Sequence, residues 1–275
     1  MVIKSIETPE LVKSLKKIAS VIESTHGDSE RFAETLRHDH IPHISFSQIT
    51  TVEFCDRRYF LQYIEQVDPE PTPDYFVKGK LLHQLLASTY KKAASQQEIN
   101  VDEHFQLIDR NYQGANHTHL KNAVLVYLEN IWQGCQVIAI EEPFAMSIHT
   151  QLPPCVGVID LILKQDDHFI VVDHKTGRDF YPQDELQMAI YVEYIKRFYG
   201  VNSCQFYYDH YRWVNNLSRI RKPAFLRTAV TLHDHYWQHA LQRILTGYQR
   251  IQKILSANKG NKNGECFRCP YKRIC

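Results

Sequence analysis

Two carboxylates and one ammonium group stand at corresponding ends of two neighbouring apolar segments. Asp160 interrupts the run VGVIDLI, and Asp173 and Lys175 follow the run IVV in the next segment. If the segments are antiparallel strands joined by a short turn, these ends meet and the three side chains share a small volume. Because an unpaired carboxylate is costly among apolar side chains, the conjunction indicates a site rather than two chance positions.

Phosphodiester hydrolysis uses these groups. Hard oxygen ligands bind Mg²⁺ or Mn²⁺, and such an ion polarises a phosphate and lowers the pKa of a bound water. A lysine beside the ion orients the attacking water and stabilises charge in the transition state. We therefore predict Asp160 and Asp173 as metal ligands and Lys175 as the catalytic lysine. The backbone carbonyl of His174 is a further candidate ligand.

Three residues on predicted helices extend this set. His83 lies on a helix that precedes the strands, and it could reach the metal if that helix packs over the sheet. Gln187 and Tyr191 lie four residues apart, so they share one face of the helix after Lys175. The pair could contact DNA or support the site.

The cysteines suggest a second site. Seven cysteines, an odd number, argue against a disulfide framework and for metal binding or burial. Cys266, Cys269 and Cys275 cluster near one end, and Cys55 stands far upstream. Four such thiolates can complete one site that ties residues near 55 to the tail. From the chemistry alone, Zn²⁺ and an iron–sulfur cluster are both open.

The elements that must position these residues change in type near residue 137. Residues 1–40 are predicted as a helical appendage, and Ser45 is a suitable N-cap for a helix over 48–64. More helix is expected over 75–94 and 102–134. Later elements are predicted as strands over 137–149, 155–165, 168–176, 204–213 and 225–232, and as helices over 183–198 and 232–256.

The motifs in this order resemble the RecB-like PD-(D/E)XK nucleases. They are Gly79-x3-His83, Gly157-x2-Asp160, Asp173-x-Lys175 and Gln187-x3-Tyr191, and the resemblance covers residues 45–275. It implies an α/β fold with a restriction-endonuclease-like core, in which helices flank a central mixed sheet. It also implies a nuclease domain over 41–275, in which these positions are metal ligands, the catalytic lysine and a DNA-contacting pair.

The cysteine spacing resembles the iron–sulfur subgroup of these nucleases. That subgroup includes the CRISPR-associated exonucleases (the fourth Cas family), and the small size and missing Walker A sequence favour this type. The resemblance implies a 4Fe–4S cluster on Cys55, Cys266, Cys269 and Cys275. One position departs from the pattern, since Asp56 follows the upstream cysteine where members often carry proline.

The composition limits the partners. A net charge of +1 means that a DNA site must be a local patch. Arg57, Arg58 and Lys272 flank the proposed cluster and are the best candidates for phosphate contact, and Tyr59 is an aromatic group that could stack on a single strand. No apolar run approaches the roughly 18 residues that span a bilayer. We therefore expect a cytoplasmic protein with no membrane partner.

The leading hypothesis is a Mg²⁺- or Mn²⁺-dependent DNA exonuclease. It would act on single-stranded ends during CRISPR adaptation, where it would process spacers beside the integrase proteins. Three alternatives are open. The protein could be a stand-alone nuclease of repair, recombination or phage, a catalytically weak DNA-binding module of a larger complex, or a structural relative that binds zinc.

Overall fold

The computed structural model describes residues 8–69, 72–180 and 184–275. Helices dominate the first half: α1 (Pro9–Thr25), α2 (Ser29–His38), α3 (Phe46–Phe54), α4 (Asp56–Tyr59), α5 (Asp74–Ala94), α6 (Val101–Asn111) and α7 (His117–Glu129). The strands are β1 (Ile44–Ser45), β2 (Gln136–Met146), β3 (Cys155–Gln165), β4 (His168–Gly177), β5 (Cys204–Arg212) and β6 (Phe225–Val230). Helices α8 (Glu185–Phe198) and α9 (Tyr236–Ala257) follow β4 and β6. None of the described helices is both long and apolar enough to cross a bilayer.

The strands form one mixed sheet. β2 and β4 flank β3 and are antiparallel to it, β5 is parallel to β4, and β6 is an antiparallel edge strand. The short strand β1 runs parallel to the first residues of β3. The predicted α/β fold, with a central mixed sheet between helices, is therefore confirmed.

Two apolar layers enclose the sheet. On one face, α3, α8 and α9 pack against side chains such as Ile162 and Val171. On the other face, α5, α6 and α7 pack against Leu161 and Val172. These neighbouring residues alternate between the two layers because successive strand side chains point to opposite faces. Both faces are thus covered, which explains the near-continuous apolar runs in β3 and β4.

The N-terminal helices lie on the sheet rather than apart from it. Their buried side chains, which include Ile18, Phe32 and Leu36, form a small core with Val156 of β3. Both helices contact β2. The boundary predicted at residue 40 stays a prediction, but α1 and α2 share a core with the nuclease-like part.

The helices depart from the sequence prediction at two places. The helix expected over 102–134 is two helices, because the polar, glycine-containing stretch 112–116 interrupts it. The helix expected over 48–64 breaks at Cys55, whose backbone is extended with φ −167° and ψ 125°. Strand β1 was not predicted, since two residues carry no periodicity. Pro71 and Gln183, expected in a loop and at a helix start, lie outside the described residues.

Candidate active site

The candidate site lies where β3 and β4 separate. Their ladder ends at the pair of Leu161 and Val172, so Asp160 and Asp173 come next on the two strands. The backbone N–H of His174 no longer pairs with β3 and donates instead to Asp160 Oδ2 at 2.7 Å. The alignment of the two carboxylates that the sequence predicted is present.

Three potential metal ligands converge at this point. One ligand atom from each of His83, Glu141 and Asp160 lies within 4.8 Å of the others. Over the part of the chain that the structure describes, no other group of three His, Cys, Asp or Glu side chains is this close. His83 Nδ1 is 3.5 Å from Asp160 Oδ2. Helix α5 delivers His83 because it packs across β2, β3 and β4.

The sequence prediction missed Glu141. It lies on β2 opposite Asp160, in the register set by the neighbouring pair of Ile140 and Leu161. Its φ of 52° is left-handed, a conformation that is costly for glutamate and concentrates at functional sites. A signal existed in the sequence, because Glu141 follows the apolar run VIAI much as Asp173 follows the run IVV.

The electrostatics of these groups depend on each other. Burial would lower the pKa of His83, but the charge and hydrogen bond of Asp160 together with the charges of Glu141 and Asp173 raise it to about 9. Burial would raise the pKa of Asp160, and His83 holds it below its usual value. Burial, and then the charge of Asp160, raise the pKa of Glu141. The pKa of Asp173 is also raised, first by burial, despite the opposing charge of Lys175.

Gln187 connects the acidic and basic groups of β4. Lys175 Nζ lies 2.7 Å from Asp173 Oδ2 and donates to Gln187 Oε1 at 2.8 Å. Gln187 Nε2 donates to Asp173 Oδ1 at 2.8 Å and to the Tyr191 hydroxyl at 3.0 Å. Tyr191 in turn donates to the carbonyl of Val158 at 2.6 Å, in the part of β3 that β4 has left. Helix α8 thereby fixes both strands at the site.

Glycine is required where this helix meets β3. A Cβ on Gly157 would lie 2.7 Å from the ring of Phe144 and 3.4 Å from that of Tyr191. A larger residue would displace the Phe144 ring, which packs edge-on against the ring of Tyr191 at 5.9 Å. The Gly157-x2-Asp160 motif therefore has a packing reason for its first residue.

Gln187 and Tyr191 lie beneath the surface. Their exposed fractions are 9% and 6%, and both side chains make their hydrogen bonds inside the site. Of the two roles that the sequence left open for this pair, the structure favours support of the site over DNA contact.

The His174 side chain points into the apolar layer that α5, α6 and α7 form on one face of the sheet. Its ring packs against those of Tyr90, Tyr127 and Tyr211. Burial lowers the pKa of His174 to about 4, so the imidazole is neutral at neutral pH. His174 therefore contributes its backbone to the site, and its ring belongs to the core.

The donor set fits a hard divalent cation. Carboxylate oxygens and one imidazole are ligands that Mg²⁺ and Mn²⁺ accept. Asp160 raises the pKa of both Glu141 and Asp173, which shows mutual repulsion that a cation would relieve. Asp173 Oδ2 is buried, and Lys175 Nζ lies 2.7 Å from it. A carboxylate oxygen has further lone pairs, so this oxygen can bind Lys175 and still ligate an ion.

The N-terminal helices also reach the site. Ser29, the first residue of α2, donates from Oγ to Glu141 Oε2 at 2.8 Å. The next residue, Glu30, binds Lys80 Nζ at 2.8 Å and accepts from Gln84 at 2.7 Å, both on α5. The sequence predicted no role for these residues, since the bond between Ser29 and Glu141 spans 112 positions.

The residues predicted to contact DNA near the cysteines lie on α4 and the tail. Arg57 and Arg58 stack over Phe60 and Phe54 at 5.4 Å each, and Lys272 is exposed. Their contact with phosphate stays a prediction. The suggestion that Tyr59 stacks on bases is wrong, because Tyr59 is only 4% exposed and its side chain packs in the core.

The tail approaches Cys55 closely. The Arg57 N–H donates to the Asn261 carbonyl at 2.9 Å, and the Asp56 N–H donates to Asn263 Oδ1 at 2.9 Å. A Cβ on Gly264 would lie 2.8 Å from Cys55 Cβ, so the tail can lie here only with glycine. These contacts replace helical hydrogen bonds, which explains why the helix breaks at Cys55.

The cysteines come together in part. Burial would raise the pKa of Cys55, but surrounding backbone hydrogen bonds hold it below its usual value. Cys269 has a raised pKa, mainly from burial, with added repulsion from Cys55 and Cys275. Cys269 and Cys275 share a small apolar cluster with Phe54, the residue before Cys55, while Cys266 is exposed. Tetrahedral Zn–S bonds of about 2.3 Å would put the sulfur atoms about 3.8 Å apart, and no described group of three cysteines is within 4.8 Å.

The sequence profile of the PD-(D/E)XK nuclease superfamily matches residues 43–275. The chain belongs to this superfamily. A candidate exonuclease from Eubacterium rectale has a similar structure, with a TM-score of 0.57 and 12% identity over 86% of this chain and 90% of that chain. At this identity the likeness shows the fold alone. The structure of a protein named SSO0001 covers 78% of this chain and 91% of its own at 13% identity, with a TM-score of 0.33 that adds nothing to this assignment. No curated protein matches the chain significantly.

Membership of the superfamily agrees with the acidic centre. PD-(D/E)XK nucleases use divalent metals, and the group of His83, Glu141 and Asp160 is a possible site for one. A nuclease is expected to bind DNA. The nuclease superfamily and the fold predicted from the sequence motifs are thus confirmed.

Proposed function

We propose that this protein is a Mg²⁺- or Mn²⁺-dependent DNA exonuclease that acts on single-stranded ends. The observation that carries this proposal is the convergence of His83, Glu141 and Asp160 within 4.8 Å, beside an Asp173–Lys175 pair that belongs to a second strand. His83, Glu141, Asp160 and Asp173 would hold the ion, with the His174 carbonyl as a further candidate. When bound, the ion would polarise the scissile phosphate and lower the pKa of a water.

Lys175 is placed to assist the attacking water. An ammonium has three hydrogens, and two neighbours of Lys175 Nζ are Asp173 Oδ2 at 2.7 Å and Gln187 Oε1 at 2.8 Å. The side chain is 27% exposed, so the third hydrogen can point to the solvent-facing side of the site. There it would donate to the attacking water or to a phosphate oxygen, and would stabilise the negative charge that develops.

Few side chains at the site can donate or accept a proton during the reaction. The His174 ring is neutral and buried in the core, so it does not serve as an acid. Gln187 and Tyr191 hold Lys175, Asp173 and the β3 carbonyl without changing their own charge. We therefore assign water orientation to Lys175 and positioning to Gln187 and Tyr191.

The substrate preference is tested with four labelled nucleic acids. Wild-type protein with Mn²⁺ should degrade linear single-stranded DNA and leave circular single-stranded DNA intact, because cleavage begins at an end. Blunt duplex DNA and RNA of the same sequence are the comparison substrates. Cleavage of the circle at the same rate as the linear strand would contradict the exonuclease assignment, and absence of all cleavage would contradict the nuclease activity.

We further propose that Cys55, Cys266, Cys269 and Cys275 hold a 4Fe–4S cluster. The proposal is supported by the cysteine spacing, by the shared apolar cluster of Cys269, Cys275 and Phe54, and by the close approach of Gly264 to Cys55. The cluster would hold the break between α3 and α4 against the tail.

For the biological setting we propose spacer processing in CRISPR adaptation, with the integrase proteins as partners. The support for this role is the resemblance in cysteine spacing. Co-purification with an integrase encoded beside this gene tests it. A neighbourhood that holds repair or phage genes instead would favour the stand-alone nuclease.

A further inference from the structure

A groove runs from the candidate metal ligands along the first turns of α5. Its volume is about 710 Å³, and His83 lies on its wall. Other parts of the wall come from the end of β4 and from Trp213, which follows β5. The groove is therefore continuous with the site at which a phosphate would be cleaved.

Two aromatic side chains are exposed on this wall. Tyr75 and Phe76, in the first turn of α5, are 53% and 45% exposed, and their ring centroids lie 4.6 Å apart. The next residue, Val77, is also 39% exposed. Three consecutive apolar side chains left in water beside a catalytic groove indicate a surface that a ligand covers.

The groove is cationic. Its described lining includes Lys78, Lys80 and Arg178 against one acidic residue, Asp74. Lys78 is buried, lies 3.0 Å from Asp74 and is 5.0 Å from the centre of the Trp213 ring. Lys80 and Arg178 are exposed. Lys80 Nζ also lies 2.8 Å from Glu30 of α2, so Lys78 and Lys80 each face a carboxylate, and the exposed Arg178 adds the positive charge that suits a phosphodiester backbone.

We propose that this groove binds the unpaired strand of the DNA substrate, with bases stacked on Tyr75 and Phe76 and phosphates beside Lys80 and Arg178. Aromatic faces together with a basic groove are the recurrent means of holding single strands without sequence preference. Bases within a duplex have no free faces, so only an unpaired end gains from these rings. The inference rests on the proposed nuclease function and names the side chains that would hold its substrate.

The distance along α5 between the exposed rings and the metal ligand sets how many nucleotides of the DNA strand the groove holds. Phe76 and His83 are seven positions apart, which is about 10 Å at about 1.5 Å per residue. At about 3.4 Å per stacked nucleotide, roughly three nucleotides span this distance. Oligonucleotides shorter than this length should therefore bind less tightly than longer ones.

The test is binding of a fluorescent single-stranded oligonucleotide without added divalent metal, so that affinity is measured apart from cleavage. Phe76→Ala should weaken binding by at least about fivefold. Phe76→Tyr should restore it because the ring is kept, and Phe76→Leu should not. Phe198→Ala is the matched control, since Phe198 is 65% exposed on α8 and does not line the groove.

The outcomes separate this inference from the nuclease proposal. If Phe76→Ala and Phe76→Leu bind as wild type does, the groove assignment is overturned, whether or not the protein cleaves DNA. If the binding losses appear but wild-type protein with Mn²⁺ cleaves no DNA, the groove assignment stands and the nuclease proposal fails. Thermal unfolding of each variant shows that it is folded, and Phe76→Leu keeps an apolar group at the position.

Discussion

Gln187 Nε2 donates a hydrogen bond of 2.8 Å to Asp173 Oδ1, so a residue of α8 fixes a carboxylate at the end of β4. The same amide accepts from Lys175 through its oxygen. One side chain thus sets the distance between the proposed ligand and the proposed catalytic lysine. Because Gln187 is buried, its orientation depends on the helix and not on the solvent.

Gln187→Leu should lower kcat by about 10- to 100-fold, as the loss of a residue that orients ligands does. Lys175 and Asp173 would lose their common partner, while KM for DNA should change little. The measurement is steady-state cleavage of single-stranded DNA with Mn²⁺. Gln242→Leu, at an exposed position of α9, is the control. An unchanged kcat for Gln187→Leu would show that Lys175 needs no such support.

Ser29→Ala should weaken Mn²⁺ binding by about tenfold. The substitution removes the hydrogen bond that holds Glu141 Oε2 in the ligand group. Calorimetric titration of the protein with Mn²⁺, in the absence of DNA, measures the effect. Ser20→Ala is the matched control, because the Ser20 hydroxyl donates to the Lys16 carbonyl of its own helix. Equal Mn²⁺ affinities for Ser29→Ala and Ser20→Ala would show that α2 does not contribute to metal binding.

Asp184→Asn should destabilise the protein by about 1 kcal/mol at neutral pH, a value reduced for partial exposure of the ion pair. Asp184 caps α8 and binds Arg243, which also binds Glu53. Asparagine retains the cap, so the difference in the free energy of unfolding between wild type and variant reports the loss of the charge. Burial raises the pKa of Asp184, but Arg243 holds it below its usual 3.8.

The stabilisation that the charge of Asp184 provides depends on pH, and the direction follows from its lowered pKa. A carboxylate with a lowered pKa in the folded state stabilises the protein above the unfolded value, and this contribution is lost as the pH falls below it. The difference between wild type and Asp184→Asn, measured by urea unfolding, should therefore shrink below pH 3.8. Asp28→Asn, which alters the N-cap of α2, is the control. A difference independent of pH would mean that the charge of Asp184 contributes nothing.

Cys269→Ser should remove bound iron and lower the thermal unfolding temperature. Cys269 is buried beside Cys55 and Cys275, so its loss opens the proposed four-thiolate site. Protein purified without oxygen should be brown, with visible absorbance that Cys269→Ser lacks and Cys204→Ser retains. Colourless wild-type protein with stoichiometric zinc would contradict the cluster and favour a zinc site.

The sequence predicted most of the residues that meet at the site. Asp160, Asp173 and Lys175 could be predicted because they interrupt or follow strands that are neighbours in sequence and pair with each other. His83 needed the further assumption that α5 packs over the sheet, which the structure bears out. Glu141 was missed because its left-handed backbone turns it toward Asp160, and a strand pattern does not predict that conformation.

Long-range contacts explain the other differences. The helix break at Cys55 depends on Asn261 and Asn263, about two hundred positions away, whose oxygens accept the Arg57 and Asp56 N–H groups. The helical periodicity of residues 48–64 cannot predict a contact with that tail. The hydrogen bond of Ser29 to Glu141 is equally remote in sequence. Local patterns therefore predicted the elements, and packing between distant segments decided how they end and what they touch.

If the groups around Asp160 and Lys175 cleave DNA, removing the lysine ammonium must abolish cleavage. The measurement is Mn²⁺-dependent degradation of an end-labelled single strand by wild type and by Lys175→Met, with thermal unfolding measured for both. We expect a loss of at least about 100-fold in kcat for the variant, with the fold intact. A folded Lys175→Met protein that degrades the strand as fast as wild type would show that Lys175 takes no part in cleavage.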